Sequence, residues 1–402
     1  MVTRYLPIII ILILSLSLRL LWLDKIPTGI SDDELDYVFN AKALFLSGSD
    51  ISGTWNPLSL KPPPLEYPKA ELPYVFIAPI IGIFPFSLFY ARLPYVFINT
   101  MLVLVLYFIA KKLFGKPQAI AIGLLAAINP WMIYFGRTAF DSPISSFFYF
   151  SSLLVLLYAK RHMLLLAIPL LFLAFFSYIG SKIVFLPFSI IIILFSWKYI
   201  NKKRYTKVYI FILLMSLGIM AHYLFFSVFQ PGSSRTAEIS TPFHYSIEQR
   251  VNKERKLSIE SPINNLLENK ISTYLKYSLE KYYGAFSPQL LFLYGDGRST
   301  FSVWNHGLFF YIDVIFLIIG AYSLFKYHRK ASLLLFAIVL ISPPTYSIKH
   351  CGGELCHTLF SSIPNPIINN GVWNLFFYKL IQGIFKIHYC FWCYFSLRYF
   401  SF

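Results

Sequence analysis

Apolar runs of about 20 residues recur along this chain, and no other feature restricts its fold as strongly, because that is the length a helix needs to cross a bilayer. Nine such spans are expected, at about 6–23, 87–110, 118–135, 140–159, 163–179, 182–199, 207–229, 307–325 and 331–348. Composition agrees: 57% of residues are hydrophobic and 13% charged, against about 25% charged in soluble domains. The expected class is an all-α polytopic membrane protein. A soluble enzyme, a disordered chain and a nucleic-acid-binding domain are excluded. Arg4 ahead of the first run resembles the start of a signal peptide, but no small-x-small cleavage site follows, so this segment reads as an uncleaved first helix.

The charges then orient the spans. One set of connections holds Arg4, Lys111, Lys112, Lys116, Lys160, Arg161, Lys198, Lys202, Lys203, Arg204, Lys207, Lys326, Arg329 and Lys330, which is 14 bases and no acid. The positive-inside rule makes that side, with the N-terminus, cytoplasmic in a plasma membrane. The 18 acids fall on or near the other side. Orientation therefore accounts for much of the net charge of +17 without an anionic partner.

Both long connections lie on the acid-bearing side: the first outer loop, 24–91, and the second, 230–306. Long loops in compact proteins usually carry function. Leu35, Val38, Phe39, Phe45 and Leu46 follow helical spacing, which predicts an interfacial helix after Asp33. Residues 70–86 are apolar but interrupted by Pro73, Pro79 and Pro85, which predicts a broken or re-entrant helix. Ile271, Leu275 and Leu279 mark another amphipathic helix in the second loop.

Chemistry-bearing residues concentrate in the first loop. Ser31-Asp32-Asp33-Glu34-Leu35-Asp36-Tyr37 is the densest acidic cluster. Carboxylates there could act as a general base or bind a hard divalent cation; a solvated helix N-terminus, favoured by the dipole, is the plainer reading. Lys61 heads a proline run, Lys61-Pro62-Pro63-Pro64, and could meet a lipid phosphate or simply snorkel from a rigid spacer. Arg19, Arg92, Arg137 and Lys182 end spans on the same side, where snorkelling explains each singly and a phosphate headgroup would suit all four. Arg137 and Asp141, four apart, could equally pair with each other. His222 reads as a buried, hydrogen-bonded imidazole within the seventh span.

Taken in order, the uncleaved first helix, Asp33-Glu34 with Tyr37, Lys61-Pro62-Pro63, Ala91-Arg92-Leu93-Pro94, and Asn129-Pro130 leading to Arg137 resemble the GT-C glycosyltransferases. Within them the likeness is to glycosyltransferase family 39, the protein O-mannosyltransferases and the bacterial aminoarabinose and envelope-glycan transferases. Ala285-Phe286-Ser287-Pro288, Gly295-Asp296 and His306-Gly307 extend it, so residues 1–350 form one GT-C-like domain. The resemblance implies a helical bundle of about nine transmembrane helices with interfacial helices in the first outer loop. It implies transfer of a sugar from a polyprenyl-phosphate donor to a lipid, glycan or protein hydroxyl, by inverting displacement on the outer face. Asp33 becomes the catalytic base with Glu34 beside it and Asp32 one residue early. Tyr37, Lys61, Arg92, Arg137 and Asp141 become substrate-binding residues. Members differ over a divalent cation, so no cofactor is assigned.

The chain departs from that pattern in its tail. Residues 351–402 hold all four cysteines, Cys351, Cys356, Cys390 and Cys393, and lack clean apolar spans. Zinc binding, disulfides, and a truncated or out-of-frame end compete as explanations. A flippase of lipid-linked glycans and a catalytically degenerate relative are the alternative functions. Transporters often show internal repeats, and none is evident.

Overall fold

A computed structural model describes residues 2–60, 70–200, 204–229, 248–257, 268–295 and 306–342, and all regular structure among them is helical. The helices are α1 (Val2–Leu20), α2 (Asp32–Ser47), α3 (Pro73–Ile83), α4 (Leu88–Phe114), α5 (Lys116–Ile128), α6 (Pro130–Phe135), α7 (Ser142–Tyr158), α8 (Ala167–Ser177), α9 (Phe185–Phe195), α10 (Thr206–Phe229), α11 (248–257), α12 (Lys270–Gly284), α13 (Asp313–Tyr327) and α14 (Arg329–Ile341). Lys61 and the tail from Cys351 lie outside the described residues.

The expectation of nine spans is not confirmed. Among the described residues two helices, Leu88–Phe114 and Thr206–Phe225, are long and apolar enough to cross a membrane. Other expected spans are shorter as helices, for local reasons. The 118–135 segment breaks in two because the Asn129 side chain accepts from the Met132 N–H at 2.9 Å, starting α6 anew at Pro130. The 307–325 segment turns helical only at Asp313, whose carboxylate accepts from the Phe310 N–H at 2.9 Å.

Helix α4 occupies the middle of the bundle and packs against α1, α3, α5 and α7. Its neighbours close around a core rich in aromatics, among them Trp131, Tyr149, Phe150, Phe175 and Phe185. Hydroxyls tie seams that lipid cannot solvate: Ser145 Oγ donates to the Ala174 carbonyl at 2.9 Å and lies 2.9 Å from Ser181 Oγ. Helix α10 leaves Ile210, Phe211, Leu214, Leu217 and Leu224 exposed, an apolar expanse of the kind that marks a membrane-facing surface. His222 stands on that exposed side of α10, not buried as expected.

A second, smaller core lies beneath the first long loop, built from Tyr37, Val38, Trp55, Tyr74, Ile77, Tyr95 and Ile144 among others. Helices α2 and α3 pair over it. The helix expected after Asp33 is present, but 70–86 holds one unbroken helix, α3, which starts at Pro73, runs through Pro79 and ends before Pro85, and the buried face of α2 differs from the expected stripe. Glu34, Tyr37, Val38, Asn40 and Ala41 are buried, whereas Phe39, Phe45 and Leu46 are exposed. The helix turns its carboxylate and hydroxyls inward because cationic and aromatic partners wait there.

Candidate active site

Helix α2 starts with a capping box: the Glu34 N–H donates to Ser31 Oγ at 3.2 Å, and the Ser31 N–H to Glu34 Oε2 at 3.3 Å. The rest of the Glu34 carboxylate is also occupied. Arg92 Nε donates to Oε1 at 3.0 Å and Nη2 to Oε2 at 3.1 Å, a bidentate pair in which Arg92 is fully buried. The Ala139 N–H adds a bond to Oε1 at 2.8 Å. Arg92 spends its remaining N–H groups on the carbonyls of Leu23 (3.3 Å), Pro27 (3.0 Å) and Gly29 (2.7 Å). All five of its donors are used. Glu34 and Arg92 thus hold the entry to α2 against α4.

Arg137 has a parallel role. Its guanidinium donates to the carbonyls of Leu18 (2.8 Å), Leu21 (2.6 Å), Trp22 (3.0 Å) and Ile26 (3.1 and 3.0 Å). These are the orphan carbonyls at and beyond the end of α1, where a cation also suits the helix dipole. Burial, then the neighbouring Arg92 charge, lowers the Arg137 pKa from its ordinary value. The pairing of Arg137 with Asp141 that their spacing allows is replaced by this cap. Arg19 likewise reaches the α5 end through Ala127 O (3.1 Å), and bonds Asn99 Oδ1 at 2.7 Å. Lys182 grips Glu71 at 2.8 and 3.0 Å, under the Tyr223 ring. All four expected phosphate-facing cations are therefore bound to protein groups.

Asp141 instead accepts from Tyr37 Oη at 2.7 Å. Burial, and next the Asp141 carboxylate, raise the Tyr37 pKa, so the phenol stays a donor. The residue before Tyr37, Asp36, accepts from Tyr74 Oη at 2.9 Å and from Asn40 Nδ2 at 3.0 Å. The Tyr37 and Tyr74 rings lie 5.1 Å apart, with Trp55 edge-on to Tyr74 at 5.6 Å. Tyr95 is fully buried beside them, and its hydroxyl has no hydrogen-bond partner among the described residues.

Asp33 is half-buried in the first turn of α2, and Asp32 is exposed. Helical geometry puts Asp33 on the same face as Asp36 and Tyr37, three and four residues on. The structure thus brings Asp33, Glu34, Tyr37, Arg92 and Asp141 into one neighbourhood, with Arg137 below it. Sequence reasoning named Asp36 only within the acidic cluster and passed over Tyr74, Tyr95 and Glu71. The i, i+3, i+4 relation of Asp33, Asp36 and Tyr37 was the available signal; Tyr74 and Glu71 gave none, because their partners are distant in sequence. Among the described residues no group of three or more His, Cys, Asp or Glu could hold a metal ion.

Residues 69–226 match the family model for dolichyl-phosphate-mannose-protein mannosyltransferases. The match covers α3 through α9 and most of α10, including Arg92, Arg137 and Asp141. Among solved structures, the oligosaccharyltransferase AglB of the archaeon Archaeoglobus fulgidus, in complex with an inhibitory peptide and a dolichol-phosphate, is similar. The identity is 13%, the TM-score 0.50, with 100% of this chain and 56% of that chain covered. A crystal structure of the A. fulgidus oligosaccharyltransferase tethered with an acceptor peptide matches at 14% identity and TM-score 0.49, covering 98% and 55%. The chain thus spans little more than half the length of these proteins. No curated protein sequence matches it. The family match, over less than half of the chain, and the helical fold shared with the archaeal enzyme are thus what this chain has in common with known glycosyltransferases.

Proposed function

We propose that the chain is an integral-membrane glycosyltransferase that moves a sugar from a polyprenyl-phosphate carrier to a hydroxyl acceptor at the outer face of the membrane. The observation that carries this reading is the anchoring of the α2 entry: Glu34, clamped by Arg92, holds the neighbouring Asp33 at the head of a carboxylate-bearing helix face. The family match describes transfer from dolichyl-phosphate-mannose, and the similar archaeal enzyme is solved with a dolichol-phosphate. Both favour a lipid-phosphate donor.

In this reading Asp33 takes the proton of the acceptor hydroxyl as its oxygen attacks the anomeric carbon. The bond from that carbon to the carrier phosphate breaks, and the configuration inverts. A positioned base contributes about 10²–10⁴ in rate. The departing lipid phosphate gathers negative charge, which a cation stabilises. Lys61 is assigned that task, since Arg92 and Arg137 hold the backbone of the α1–α2 connection. Tyr37 and Asp141, hydrogen-bonded to each other at 2.7 Å, are assigned to substrate binding beside it.

The test is sugar transfer in membranes supplied with a radiolabelled polyprenyl-phosphate sugar. Asp33→Asn should lower turnover about 10²–10⁴-fold without changing the amount of folded protein. Undiminished transfer by that variant would refute Asp33 as base.

A further inference from the structure

We propose that the opposite end of the bundle carries a binding site for the phosphate headgroup of an anionic phospholipid. A cavity of about 470 Å³ opens between the C-terminal end of α4, the turn after α9 and the α13–α14 junction, within the roughly 300–1,000 Å³ range of small-molecule sites. Four cations from two separate segments line it: Lys112 on α4, and Lys326, Arg329 and Lys330 around the junction. No acidic residue lines it. None of the four is paired with a carboxylate among the described residues.

Three of the four meet aromatic faces. Lys330 lies over the Tyr199 ring at 5.4 Å, Lys112 over Tyr158 at 5.1 Å, and Lys326 over Tyr327 at 5.3 Å. Such contacts orient an ammonium without using its N–H donors; Lys326 also donates to Tyr322 Oη at 3.4 Å. Leu113, Phe195 and Ile200 supply an apolar wall, against which the start of an acyl chain can rest. The first-turn N–H groups of α14 lack intrahelical acceptors and a side-chain cap, and add donors at the same rim.

Positive-inside orientation explains why bases occur on this side, but not why these four surround one cavity. Uncompensated basic pockets between membrane helices suit anionic headgroups. A lipid is favoured over a soluble phosphate because the cavity has an apolar wall next to its cations. The inference is independent of the glycosyltransferase reading and rests on the membrane character of the chain.

The experiment is native mass spectrometry of the full chain in detergent, titrated with phosphatidylglycerol or phosphatidylcholine. Phosphatidylglycerol should bind more tightly, and the double variant Arg329→Gln/Lys330→Gln should weaken it about 25-fold, roughly five-fold per charge removed. Lys116→Gln, on the same side outside the cavity, should leave binding unchanged and serves as the folded control. Equal affinity for both lipids, or an equal loss in the Lys116 variant, would overturn the site. Displacement of the lipid by millimolar inorganic phosphate would overturn the lipid assignment, and retention supports it.

Discussion

Glu34 and Arg92 stand 58 residues apart in the chain and meet as a buried bidentate pair, at 3.0 and 3.1 Å, between the first outer loop and the central helix. Of the two adjacent carboxylates read as catalytic, one is thus fully engaged in holding the other's helix.

That division of labour predicts different phenotypes for neighbouring substitutions. Glu34→Gln leaves the buried Arg92 charge without its counterion, and breaking such a pair costs about 3–5 kcal/mol. Thermal unfolding in detergent should show a large drop for Glu34→Gln and little change for Asp33→Asn, while transfer assays show loss in both.

Tyr37→Phe removes the phenol that donates to Asp141 Oδ2 at 2.7 Å. A buried acceptor stripped of one partner costs about 1–3 kcal/mol. Asp141→Asn keeps an acceptor for the phenol and should cost less. Denaturation midpoints of the two variants give the order directly.

Asp50 sets a pH dependence. Burial pushes its pKa up, but hydrogen bonds from Ser52 Oγ (2.7 Å) and from the Trp55 and Thr54 N–H groups (2.9 and 3.1 Å) outweigh it, so the net shift is downward. A folded-state pKa below the unfolded value gives stability that is present above the unfolded pKa, about 3.9, and is lost as pH falls through the folded one. Limited proteolysis of the first loop should accelerate below about pH 4 in the parent. Asp50→Asn should be less stable at neutral pH and lack that acid dependence.

Gly307→Ala should destabilise the turn before α13. A Cβ at Gly307 would fall onto the backbone of Phe292, held there by the Phe309 N–H bond to Leu291 O at 2.7 Å. Overpacking typically costs about 1–3 kcal/mol, and backbone yields less readily than a side chain. Thermal shift of the purified variant measures it. Gly82→Ala is the contrast, since its neighbour is the movable Phe45 side chain.

Periodicity and proline placement made α2, α3 and α12 legible, together with the neighbourhood of Asp33, because helix spacing and backbone breaks are local properties. The partners of the charges were not legible. Arg92 and Arg137 stood out as cations near span ends, but the carbonyls and the carboxylate that absorb them belong to residues 18–34, brought near only by packing of α1 and α2 on α4. The inward face of α2 misled for a related reason: a hydrophobic stripe marks the buried side only when no polar partner waits inside, and Arg92, Tyr74 and Asp141 do.

The small core under α2 and α3 is distinct from the main one. A damaged loop can therefore open as its own cooperative unit while the bundle stays intact. Variants of Trp55 or Tyr74 should then accumulate in the membrane at normal abundance with the first loop opened, so expression level is no guide to which lesions spare the candidate site.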